Sequence, residues 1–93
     1  FHGVNIKLMK CTGISEGFRA LEAARAKDLK VMVGCMTESS CGISAAALLA
    51  PLCDYADIDG CWLIRNNPFE MPLLKEGKII LSQKPGLGIK KIP

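Results

Sequence analysis

The sequence predicts an α/β fold, with three parallel strands alternating with two helices over residues 1–62 and an extended segment over 63–93. Three observations predict it. Three apolar runs begin about 25 residues apart, the repeat length of βα units that feed a parallel sheet. Helix-forming stretches introduced by glycine and serine lie between them. The middle run is apolar on both faces, as strands of buried parallel sheets are.

The first run, Val4-Asn5-Ile6-Lys7-Leu8-Met9, reads as a strand, and Gly13, Ser15 and Glu16 then supply a turn and a helix start. Phe18, Leu21 and Ala24 recur at helical spacing, while Arg19, Glu22, Arg25 and Lys27 cover the opposite side. Asp28 ends that helix. Residues 29–35 form the second strand around Val31-Met32-Val33. Ser39, Ser40 and Gly42 mark the next turn, and residues 43–49 make a second helix that stops at Pro51. A third extended run begins near Tyr55 and carries Asp57-Ile58-Asp59. Beyond Trp62 no helical period survives. A hairpin over 73–81 turning at Glu76-Gly77 and the tail Pro85-Gly86-Leu87-Gly88-Ile89 form an extended segment that is expected to pack on something, within this chain or outside it.

Composition narrows the function classes. Twelve basic and nine acidic residues leave a net charge of +3, too small an excess to argue for a nucleic-acid partner. With 49% hydrophobic and 23% charged residues, the chain is too apolar to be disordered. Its longest apolar stretch, 43–53, is broken by Ser44 and Pro51 and falls short of the roughly 20 residues a bilayer requires, so no membrane partner is expected. At 93 residues there is room for one core. Phe1 in place of Met, together with the high apolar fraction, suggests a piece of a longer protein. The five cysteines, Cys11, Cys35, Cys41, Cys53 and Cys61, are odd in number, and no pair has the spacing of a zinc or thioredoxin motif. A reduced, cytoplasmic protein is expected. His2 is the only histidine and lies at the chain end, which leaves Ser-His or Cys-His catalysis unsupported. No phosphate-binding glycine motif is present.

Parallel strands place their C-terminal ends on one rim, and three polar clusters fall there. Lys7 is flanked by apolar neighbours in a strand expected to be buried. Desolvation would lower its pKa and make it a base, or its stem would carry the amine out to solvent. Asp57 and Asp59, two apart, would point to one side of an extended strand. They would either share a cation, metal or ammonium, or be a solvated strand end. Cys35-Met36-Thr37-Glu38 follows the second strand, where Glu38 reads as a helix-start acid or part of a polar shell. Convergence on one rim favours a site.

The segments Asn5-Ile6-Lys7-Leu8-Met9-Lys10-Cys11-Thr12-Gly13-Ile14, Met32-Val33-Gly34-Cys35-Met36-Thr37-Glu38-Ser39-Ser40, Ser44-Ala45-Ala46-Ala47, Asp57-Ile58-Asp59-Gly60 and Pro85-Gly86-Leu87-Gly88-Ile89 resemble, in order and spacing, the C-terminal portion of dipeptide epimerases. These enzymes, of the L-Ala-D/L-Glu kind, belong to the muconate-lactonizing (muconate cycloisomerase) subgroup of the enolase superfamily. The resemblance implies strands six to eight of a modified TIM-type (β/α) barrel, with 63–93 returning toward an N-terminal capping domain. It implies that Lys7 is one of two opposed acid/base lysines, and that Asp57 and Asp59 hold the α-ammonium of a dipeptide. The backbone of Cys35, Met36 and Thr37 would line the substrate's carboxylate end. The implied reaction abstracts the proton α to a carboxylate through an enediolate stabilised by Mg²⁺, whose ligands are expected on the N-terminal part, none of them here. The 93 residues alone are then expected to be inactive, since three strands cannot close a barrel. A cycloisomerase, a succinylbenzoate synthase and a non-catalytic α/β fragment are the alternatives. The dipeptide's identity is not legible, and a homo-oligomer is left open.

Overall fold

A computed structural model describes all residues from Phe1 to Pro93. Strand β1 (Gly3–Lys7), helix α1 (Ile14–Ala26), strand β2 (Lys30–Gly34), helix α2 (Ser40–Ala47) and strand β3 (Tyr55–Asp57) succeed one another. A hairpin of β4 (Leu73–Lys75) and β5 (Lys78–Ile80) comes last. The sheet order is β1-β2-β3 and both pairings are parallel, as the strand and helix alternation predicts.

One face of the sheet carries the core. Ile6, Val31 and Val33 pack with Leu8, Leu21 and Ala24 on one side and Ala46 and Leu49 on the other. Each such aliphatic side chain taken fully out of water contributes about 1.5–3 kcal/mol. Helix α1 turns Gly17, Leu21 and Ala24 inward, a stripe at i, i+4, i+7. Gly17 lets α1 approach the leucines after β1 and α2 closely: a Cβ there would lie 2.7 Å from Leu8 Cδ2 and 3.0 Å from Leu49 Cδ2. The helix ends through Asp28, which adopts a left-handed φ of 54°, with Asp28 N–H donating to Arg25 O and Leu29 N–H to Ala24 O. That double closure satisfies the last carbonyls and turns the chain into β2.

At the N-terminal end of the sheet, Asp54 gathers three elements. Its Oδ2 accepts from Val31 N–H at 2.8 Å and from Arg25 Nη1 at 2.7 Å, and Lys30 Nζ lies 3.6 Å from Oδ1. Arg25 Nη2 also donates to Leu52 O at 2.9 Å. The Asp54 carboxyl is held below the usual range, chiefly by the Val31 N–H and then by the Arg25 guanidinium.

Three boundaries differ from the sequence reading. Helix α2 starts at Ser40, before Ile43, because Asn67 of the extension accepts the Ser40 N–H at 3.1 Å and donates back to Ser40 Oγ. This cap comes from 27 residues downstream, out of reach of any local start signal. Pro51 does not stop that helix, which ends at Ala47; the proline sits inside a short 3-10 turn, Ala50–Leu52. The third strand ends at Asp57, so Asp59 lies beyond it at φ −96°, ψ 2° and opens a 3-10 turn, Gly60–Leu63.

The segment after that turn packs on its own chain. Phe69 bridges Lys91, Glu70 N–H donates to Lys90 O and Ile92 N–H to Pro68 O. The hairpin turns at Glu76 and Gly77, whose φ values of 51° and 76° are the left-handed pair a two-residue hairpin loop requires. No helix is long and apolar enough to cross a membrane.

Candidate active site

Register places the rim residues. Lys7 pairs with Gly34 and Gly34 with Asp57, so the three stand in one row at the C-terminal ends of β1, β2 and β3. Residues paired across a sheet share a face, here the face away from the helices. Gly34, between the two charged residues, leaves a notch that the Asn5 amide fills: a Cβ on Gly34 would meet Asn5 Oδ1 at 2.5 Å.

The surroundings of Lys7 differ from the sequence expectation. In β1 only Ile6 is buried, at 5% exposure, while Val4 on the same face and Asn5 on the other are exposed, and Lys7 is half-buried. Its Nζ donates to Met36 Sδ at 3.8 Å, a soft, uncharged acceptor. The Lys7 amine thus carries no salt bridge, whereas Arg19, Arg25 and Lys30 do.

The loops after β2 and β3 are pressed together. A Cβ on Gly60 would stand 2.2 Å from Met36 O, 3.1 Å from Glu38 N and 3.3 Å from Cys35 Sγ. Only glycine permits that approach, which brings the Cys35 thiol to 4.0 Å from Asp59 Oδ1. Burial, and after it the Glu38 and Asp59 charges, push the Cys35 thiol up even though a Gly60 backbone hydrogen bond opposes them, so it stays protonated and serves as a donor. The adjoining Cys61 is 1% exposed and raised for the same first reason. All five cysteines are free thiols.

Asp57 and Asp59 reach solvent in one cleft of about 870 Å³, walled by Ile58, Trp62, Leu74 and Leu81. The strand that was expected to align them ends at Asp57, and Asp59 stands instead at the head of the 3-10 turn Gly60–Leu63. Lys7 lines a different recess of about 630 Å³, along the free edge of β1 with Lys10, Cys11 and Ala24. Lys7, Cys35, Met36 and Asp59 are therefore linked by direct contacts, Asp57 joins them through register, and Thr37 stands exposed in the loop. Sequence reasoning passed over two residues that build this site and left a third, Glu38, open between a helix-start acid and part of a polar shell. Gly60 and Asn5 act by close approach, which leaves no local signature. Glu38, 8% exposed, is folded inward with its Oε2 accepting the Met36 N–H at 3.0 Å.

Residues 1–91 match the family described as Enolase C-terminal domain-like. The chain belongs to that family. Among curated relatives, it is 51% identical over 92 residues to the L-Ala-D/L-Glu epimerase of Bacteroides thetaiotaomicron, covering 99% of this chain and 24% of that protein. Among solved structures, the dipeptide epimerase from Methylococcus capsulatus complexed with Mg ion superposes with a TM-score of 0.84 at 35% identity, over 95% of this chain and 27% of that one. The N-succinyl Arg/Lys racemase from Bacillus cereus gives a TM-score of 0.89 at 31% identity, over 98% of this chain and 25% of that one. The chain thus spans about a quarter of the length of the relatives it matches, and corresponds to their C-terminal part. This enolase-type chain holds no group of three or more His, Cys, Asp or Glu side chains arranged to bind an ion.

Proposed function

We propose that this chain is the C-terminal part of a dipeptide epimerase. It would supply Lys7 as an acid/base, Asp57 and Asp59 as the ammonium site, and Cys35, Met36 and Thr37 as the wall between them. The observation that carries the reading is the row Lys7, Gly34, Asp57 across three parallel strand ends. Two strand spacings separate its ends, about 10 Å. A lysine stem and a short peptide, whose consecutive Cα atoms are about 3.8 Å apart, together fit that span.

In this reading the dipeptide's ammonium lies against Asp57 and Asp59, and its carboxylate end points along residues 35–37. The Lys7 amine takes the proton from the carbon α to the carboxylate; the C–H bond breaks and its electron pair passes into the carboxylate as an enediolate. A proton delivered to the opposite face by a group outside this chain completes inversion, with no net oxidation or reduction. Met36 Sδ suits the base, since a sulfur acceptor orients the amine without pairing its charge as a carboxylate would. The reading includes Mg²⁺ to stabilise the enediolate charge. Its ligands would lie on the N-terminal part of the whole protein, since no group of three or more His, Cys, Asp or Glu side chains is gathered here to hold an ion. Residues 63–93 would extend toward a capping domain of the whole protein.

The likeness to an N-succinyl amino-acid racemase favours a second reading, in which the same lysine acts on a substrate whose nitrogen is acylated and uncharged. One experiment separates the two. The complete protein is incubated in D₂O with Mg²⁺ and either a dipeptide panel or N-succinyl amino acids, and loss of the α-proton is followed by NMR. The proposal expects exchange and epimerisation of dipeptides, with epimerisation lowered about 10²–10⁴-fold by Lys7→Ala and KM for dipeptides raised by Asp57→Asn. Exchange of N-succinyl substrates alone, untouched by Asp57→Asn, selects the second reading. Undiminished epimerisation of dipeptides by Lys7→Ala overturns the role given to Lys7.

A further inference from the structure

The loop between β2 and α2 holds a carboxylate that the proposed chemistry does not use. Glu38 is 8% exposed, and its Oε2 accepts the Met36 N–H at 3.0 Å. Its Oε1 lies over the first turn of α2, where a Cβ on Gly42 would come within 2.3 Å of it and within 3.0 Å of Cδ. The absence of a side chain at Gly42 is thus what lets the Glu38 carboxylate fold inward.

Met36 is held from both sides. Its N–H is taken by Glu38 and its carbonyl is faced by Gly60. The same residue offers Sδ to the Lys7 amine, and its neighbour Cys35 faces Asp59. We infer that Glu38 is a positioning residue, whose buried carboxylate clamps the Met36 amide so that one loop sets Lys7 and Asp59 in fixed relation. This rests on the proposed role of Lys7 and assigns Glu38 no contact with substrate. It also changes the role of the loop backbone. The Met36 N–H is already engaged, so the Cys35, Met36 and Thr37 segment does not use that group to bind a carboxylate.

Two variants reach the clamp by different routes. Glu38→Ala removes the acceptor. Gly42→Ala leaves Glu38 intact and expels its carboxylate sterically, although alanine is the better helix former. In the complete protein both are expected to lower kcat by up to about a hundredfold, the cost of misplacing reacting groups by about 1 Å. KM and the thermal midpoint should move little. Glu38→Gln, which keeps a carbonyl acceptor of the same reach, should restore most of kcat. A purely structural carboxylate would lower the midpoint while leaving kcat per folded molecule unchanged, and that result overturns the inference. A readout independent of turnover is the Met36 amide in ¹⁵N-methionine-labelled protein. Its hydrogen exchange should be slow in the wild type and in Glu38→Gln, and fast in Glu38→Ala and Gly42→Ala. Unchanged exchange in Glu38→Ala overturns the clamp even if no substrate is ever turned over. Lost protection in a protein inactive on every dipeptide overturns the epimerase reading and leaves the clamp standing.

Discussion

Replacing Gly60 by alanine tests the contact that joins the two site loops. The added Cβ would begin 2.2 Å from Met36 O, a backbone atom that no side-chain rotation can move aside. Restoring an ordinary contact of about 3.4 Å parts the segments at 36 and 60 by about 1 Å. Asp59 moves with residue 60 and Met36 with residue 35, so the Cys35 to Asp59 contact opens while Lys7, on β1, stays with the sheet. Overpacking of this kind costs about 1–3 kcal/mol of stability, and a misplacement of that size costs up to about a hundredfold in rate. Gly60 has no left-handed φ, so the effect comes from space and not from backbone strain. The assay is α-proton exchange of dipeptides by the complete protein, with urea unfolding of the same preparation. A Gly60→Ala protein with wild-type kcat/KM and an unchanged midpoint would refute the argument that the two loops are in forced contact.

Two further outcomes concern stability. Leu49 is 0% exposed between α1 and the sheet, so Leu49→Ala should cost about 3–5 kcal/mol in unfolding of the complete protein. A loss below about 1 kcal/mol would mean the space collapses, contrary to the packing against Gly17 and Leu8. The Asp54 carboxyl is lowered by Val31 N–H and Arg25, so the unfolded chain binds its proton more readily than the folded one. Its contribution is therefore complete above the unfolded value, near 3.8, and is lost as pH falls through the lower folded value. Wild type and Asp54→Asn should differ in urea midpoint by a constant amount at neutral pH and converge below about pH 4. A difference that grows on acidification would reverse the sign of that reasoning.

The order of elements was legible because each local signal agreed with the global arrangement. Apolar runs repeat at βα length, Leu21 and Ala24 recur at helical spacing, and Glu76-Gly77 supplies a hairpin turn. Lys7 and Asp57 were legible as rim residues because parallel pairing brings successive strand ends to one edge, and register then sets them in one row with Gly34. The resemblance to dipeptide epimerases was carried by segments spread along most of the chain, and the matching relatives cover the same stretch.

Other features depend on atoms far apart in sequence. The start of α2 is set by Asn67, the base of the sheet by Arg25 and Asp54 across 29 residues, and the position of Asp59 by a glycine pressed on Met36 O. Glu38 looks from sequence like any acid before a helix; only packing turns it inward onto the Met36 amide. Periodicity and turn chemistry are properties of neighbours along the chain, so the sequence by itself determined the elements, their order and the rim on which the polar residues gather. Close approach, long-range capping and the direction a buried carboxylate faces exist only once separate segments share a volume, and those the tertiary structure decided.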